Sequence, residues 1–327
     1  MKRPFEKFEE AVKDWLEILY RGTCTFRLQD IIKNNQVAGR GLFIEENGRR
    51  TSVIIDMEAY YEEYVDRSAL PVVISDIYKQ LQSGRLWSGF FEQMKDFEAV
   101  KNMVTFSLVN AEKNRKILEK VPYIEVLDLA MIFHLDMAEM EKSHMKIMIS
   151  MESMNQWGIR LEELAELAAE NTLRLHPAKI RTKDEMLKHV LGEYAESRLG
   201  KEFVDEMGSV PTASPLYVLG SDSGLDGAAT MLYDGVLKEF ADSVESDLII
   251  LPTTVHEVMA LPYDDKVDIT GFRNMLRRMN QKETPPEDVL SDNIYHYRRQ
   301  KNCLVIEGEE PGREYFLGWT GSRRNTD

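Results

Sequence analysis

No apolar run in this chain is long, and most are followed by a stretch with amphipathic helical spacing. The longest run, Val126 to Phe133, is interrupted by Asp128 and falls well short of the roughly 18 apolar residues a membrane span needs. Runs this short suit strands in small sheets. Near the N-terminus, Phe5, Phe8, Val12, Trp15, Leu16 and Leu19 recur with helical spacing, and Lys and Glu fill the other face. Strand-like runs follow at Thr23 to Leu28, Gly41 to Ile44 and Ser52 to Ile55, with an Asn47-Gly48 turn pair before the third. The pattern predicts an α+β fold of mixed small sheets packed with amphipathic helices.

At 327 residues the chain is long enough for two domains. Asp56 is placed to cap a helix through Tyr60, Tyr61, Tyr64 and Val65, and Pro71 suits the first turn of another. The glycines in Ser83 to Phe91 break the periodicity there. This predicts an N-terminal α+β region over 1–90, a main α+β domain over 91–307 and a flexible tail over 308–327. The main domain reads as two halves sharing a weak strand-helix-strand-strand-helix repeat. In the first, a strand near Met103 to Val109 leads to a helix capped by Asn110, a hairpin within Tyr123 to Ser150 and helices through Ala169. The second has a strand at Leu216 to Leu219, a helix after Asp234, strands at Leu248 to Leu251 and Val255 to Leu261, and a helix burying Phe272, Met275, Leu276 and Met279. Between the halves, Thr182-Lys183-Asp184-Glu185 has capping-box form before Met186, Leu187, Val190, Leu191 and Tyr194.

Charge and cysteine content narrow the function classes. There are 41 Lys and Arg against 56 Asp and Glu, a net charge of −15, which disfavours nucleic acid or an anionic membrane as partner. The first twenty residues interleave charge with apolar side chains and lack a signal-peptide core, and the only two cysteines, Cys24 and Cys303, form no CxxC pair. A cytoplasmic protein is expected. Gly200-Lys201 lacks the upstream glycine of a phosphate loop, His256-Glu257 lacks a second histidine one turn on, and Gly220 to Gly224 centres on Asp222 rather than serine. No cofactor and no metal is expected.

Four weaker constellations remain. Asp222 and Asp226 flank a glycine-rich turn that could face a cation, though a polar strand-to-helix turn explains it better. His134, Asp136, Glu139, Glu141 and His144 gather ligand-type side chains without a metal spacing. His256 could act as acid or base with Glu257 or Asp292, or be held by the hydroxyls of Thr253 and Thr254; a histidine satisfied at a hairpin end is the simpler account. The run Tyr295-His296-Tyr297-Arg298-Arg299 could stack bases, but its alternation suits a half-buried edge strand better.

The segments Asn155 to Ile159, Ala168 to Ala178, Leu251 to Pro262 and Pro285 to Tyr297 resemble a bacterial family common in anaerobic gut bacteria and classed as a domain of unknown function, number 5688. The resemblance implies a cytoplasmic bacterial α+β protein and supplies no mechanism. Asn155, Trp157, Asn171, Asp222 and Asp226 stand as candidate ligand-binding residues. Two function classes follow: a non-catalytic protein that binds an unknown protein or small-molecule partner, and a small-molecule hydrolase-type enzyme using His256 with Asp292 or Glu257.

Overall fold

The computed structural model describes residues 2–46, 52–66, 69–83, 93–137, 146–185, 215–309 and 312–318. The chain divides into two compact units, Met1–Met94 and Lys95–Asp327.

The first unit begins with α1 (Phe5–Tyr20), followed by an antiparallel meander of β1 (Cys24–Ile32), β2 (Ala38–Glu46) and β3 (Ser52–Asp56), then α2 (Met57–Asp66) and α3 (Leu70–Ser83). α1 buries Phe8, Val12, Leu16 and Tyr20 against Leu42, Met57, Val73 and Ile77. Trp15 and Leu19, read from spacing as core, are instead 51% and 47% exposed. The small meander covers only a narrow arc of the helix, and these two side chains stand just outside it. The Asp56 side chain caps α2 by accepting the amides of Glu58 (3.0 Å) and Ala59 (3.4 Å). β2 and β3 pair from Gly41↔Asp56 to Glu45↔Ser52; the Asn47-Gly48 turn lies outside the described residues, as do 84–92, which include most of the expected boundary.

The second unit opens with α4 (Phe97–Val100), β4 (Val104–Asn110), α5 (Arg115–Leu118), β5 (Tyr123–Val126), β6 (Leu129–Asp136) and β7 (Lys146–Met148). Next come α6 (Met151–Trp157), α7 (Leu161–Leu175), β8 (Ala178–Thr182) and β9 (Tyr217–Ser221). A 3-10 segment (Gly227–Leu232), α8 (Val236–Ser243), β10 (Leu248–Leu251), β11 (Glu257–Pro262) and α9 (Ile269–Lys282) lead to β12 (Tyr295–Arg298), β13 (Cys303–Ile306) and β14 (Tyr315–Phe316).

The repeat read from the order of elements reappears in strand order. In one sheet β4 pairs β6 and β6 pairs β5; in the other β9 pairs β11 and β11 pairs β10, all antiparallel. Each half therefore places its third strand between its first and second. β7 extends the first sheet, whereas β8 and β12–β14 widen the second to seven strands. α9 buries Phe272, Met275 and Leu276 against Val218, Ile249, Leu251, Met259 and Leu261.

Two expectations are corrected here. β12 is an interior strand between β10 and β13, not an edge, and Tyr295 and Tyr297 are fully buried, so they offer no stacking surface for bases. Their hydroxyls are satisfied internally, Tyr295 by Asp128 (2.7 Å) and Tyr297 by Asn302 (2.7 Å). Within the stretch expected as a flexible tail, 308–327, Tyr315 and Phe316 pair with Leu304 and Cys303 as β14, while 310–311 and 319–327 lie outside the described residues. The Thr182–Glu185 capping box forms: Glu185 accepts the Thr182 amide (2.8 Å) and Thr182 Oγ1 accepts the Glu185 amide (3.2 Å). The helix body expected after it lies outside the described residues.

Candidate functional site

Antiparallel register places the first members of a polar cluster. Strand alternation puts His134 and Asp136 of β6 on one face, and pairing sets Lys146 of β7 directly across from Asp136. Lys146 Nζ lies 3.3 Å from Asp136 Oδ2 and 2.7 Å from Asp226 Oδ2, so one ammonium bridges two carboxylates. His176, at the C-terminal end of α7, brings Nε2 to 2.6 Å from the same Asp136 oxygen. The Asp136 side chain is only 1% exposed and that of Lys146 14%.

Asp226 owes its position to a close approach that requires glycine. It sits in the left-handed region (φ 49°) before the 3-10 segment. A Cβ on the next residue, Gly227, would come 2.3 Å from the His256 carbonyl oxygen, 2.6 Å from the Ser221 nitrogen and 2.8 Å from the Gly220 Cα. These are backbone atoms that cannot swing aside. We expect Gly227→Ala to cost about 2–3 kcal/mol in urea unfolding, through overpacking and displacement of Asp226; a loss below about 0.5 kcal/mol would show that the backbone relaxes freely.

His256 joins the cluster from the turn before β11 rather than from within the strand. The Asp226 amide donates to its Nδ1 (3.3 Å), and Asp288 Oδ1 lies 3.4 Å from its Nε2. Thr253 and Thr254, expected to hold the ring, bond backbone groups instead: Thr253 donates to the Glu257 carbonyl, and Thr254 accepts the amides of His256 and Glu257. Asp292 is engaged elsewhere, accepting from Asn280 Nδ2 at 2.8 Å. The carboxylate that reaches His256 is therefore Asp288, a residue sequence reasoning passed over in favour of Asp292.

These contacts divide the protonation states. Hydrogen bonding and charge from Asp288 raise the His256 imidazole above its ordinary value, despite burial. Burial, reinforced by the Lys146 ammonium, pushes His134 down to about 4, against the pull of Asp226 and Asp136. For Asp226, burial opposes ionisation, but Lys146, with His134 and His256, outweighs it and holds the carboxyl below its usual range. Burial raises Glu257. The Nδ1 atoms of His134 and His176 are buried without a hydrogen-bond partner among the described residues.

The structure thus joins parts of three separately read constellations: His134 with Asp136, Asp226, and His256. It adds Lys146, His176 and Asp288, which sequence alone did not single out. Glu139, Glu141 and His144 lie outside the described residues. Asp222 separates from Asp226, because its Oδ1 takes Lys179 (2.8 Å) at the surface. Asn171 is buried and structural: its Nδ2 donates to the Lys101 and Val104 carbonyls, while Thr172 Oγ1 accepts the Phe106 amide, so α7 satisfies the free edge of β4. Asn155 is exposed on α6, and Trp157 packs on Phe97 at 5.4 Å between ring centroids. Among the described residues no group of three His, Cys, Asp or Glu side chains could hold a metal ion, and no helix is long and apolar enough to cross a membrane.

A cleft of about 240 Å³ lies on the opposite face of the β4–β6 sheet. Phe106 and Met131 are buried at its floor. Leu173 of α7, Leu232 and the β14 residues Tyr315 and Phe316 also line it.

The family model described as Family of unknown function (DUF5688) matches residues 5–299. The chain belongs to that family. This DUF5688 member has no match among curated proteins or solved structures.

Proposed function

We propose that this DUF5688 member is a non-catalytic binding protein that holds a small molecule in the cleft between α7, the β4–β6 sheet and β14. The observation that carries this reading is the cleft's composition. Its floor is buried and apolar, while Leu173 and Phe316 at its mouth remain 41% and 48% exposed. A concave apolar site with few polar groups is the usual form of a small-molecule site. The polar cluster on the other face serves as an internal clamp in this account, its carboxylates already engaged by Lys146 and His176.

The test is a native mass spectrum of the untagged protein from its own host, compared with its denatured mass and with Ala169→Phe, which fills the cleft wall. An excess mass lost on denaturation and absent from the variant is the expected result. Equal excess mass in both proteins, or bare masses in both with no fragment bound at the cleft by NMR, would overturn the proposal.

A second reading, a small-molecule enzyme, is favoured by one observation. His176 Nε2 is held by buried Asp136 while its Nδ1 is uncommitted, which is how an oriented general base is built. Turnover abolished by His176→Gln with melting unchanged would favour it over the clamp.

A further inference from the structure

We infer that the ligand of the cleft is a small primary ammonium with an apolar or aromatic body. The inference rests on the small-molecule reading above and adds the ligand's chemical class. Three carboxylates, Glu166, Glu170 and Asp234, ring the apolar floor, and among the described residues no Lys, Arg or His lines the cleft. Among the described residues none of the three has an ion-pair partner.

The local cation is directed elsewhere. Arg174 stands one helical turn after Glu170, the spacing at which such pairs normally form. Its guanidinium instead donates to the Asn102 carbonyl (2.7 Å) and to Asn171 Oδ1 (3.3 Å), in the same network that closes the edge of β4. Glu166 and Glu170, themselves one turn apart on α7, are therefore left as like charges that an outside cation would relieve. Tyr315 and Phe316 lie at the same mouth, and aromatic faces attract ammonium groups. An apolar body on Phe106 and Met131 with an ammonium at the rim meets both halves of this lining. An anionic ligand would face three uncompensated charges.

The probes are phenethylammonium, 2-phenylethanol and 3-phenylpropionate, titrated into the full chain by calorimetry at low ionic strength. Phenethylammonium is expected to bind roughly tenfold tighter than the alcohol, to weaken as salt is raised, and to leave the carboxylate probe unbound. The triple variant Glu166→Gln, Glu170→Gln, Asp234→Asn should bring the ammonium to the alcohol's affinity. Ala169→Phe and Phe316→Ala should each weaken both, with melting curves showing the variants folded. Equal binding of alcohol and ammonium to the wild type would overturn the ammonium inference and leave the small-molecule reading standing. Binding of neither would overturn both.

Discussion

Lys146→Ala is expected to destabilise the 95–327 unit by about 3–5 kcal/mol, the range for removing one partner from a buried ion pair. Lys146 is the cation between Asp136, whose side chain is 1% exposed, and Asp226. Without it the Asp136 and Asp226 carboxylates face each other across a partly dehydrated space. The penalty comes from uncompensated charge rather than from the value of the bridge itself. The triple variant Lys146→Met, Asp136→Asn, Asp226→Asn, which removes all three charges together, should recover most of the loss. Urea unfolding of both proteins measures this. A loss below about 1 kcal/mol for Lys146→Ala would mean that water reaches the cluster and screens it as at a surface.

His134 is expected to make the same unit less stable as pH falls from about 6.5 to about 4. Its folded-state value is pushed down to about 4 by burial, whereas the unfolded chain takes up the proton near the ordinary imidazole value of about 6.5. In that window the unfolded state binds more protons, so stability rises with pH; the full difference corresponds to about 3 kcal/mol. His256 contributes with the opposite sign. Its value is raised by Asp288, so its stabilisation is complete below about 6.5 and is lost as pH climbs through the raised value. Because His134 acts below about 6.5 and His256 above it, a comparison isolates the first: urea midpoints of wild type and His134→Gln from pH 4 to 7. The groups facing His134 are Thr105 and Met148 across the strands, with the charges of Asp226, Lys146 and Asp136. Parallel pH profiles for the two proteins would show that His134 is protonated as readily in the native state as in the unfolded chain.

Much of the local structure was legible in the residues. The apolar spacing of Phe272, Met275 and Leu276 marks the buried side of α9, and Asp56 marks the start of α2 by its capping side chain. Trp15 and Leu19 satisfied the same periodicity and are nonetheless exposed, because periodicity names a face and only packing determines how wide an arc of it is covered. The repeat in the second unit was visible as an order of elements. That both halves insert the third strand between the first two became apparent only from the pairing.

The site was legible in fragments. His134, Asp136, Asp226 and His256 each stood out by residue type, but in separate segments with no spacing rule to join them. Asp136 meets His176 across 40 positions of chain, and Lys146 meets Asp226 across 80. Lys146 and His176 carried no local signal, since a lysine in a short strand and a histidine after a helix are ordinary. By itself the sequence determined the elements, because helix and strand periodicity, caps and turns act over a few residues. Only the tertiary structure decided which charges share a buried space, because strand register and the Gly227 contact bring distant residues within Coulombic reach and exclude the water that would otherwise screen them.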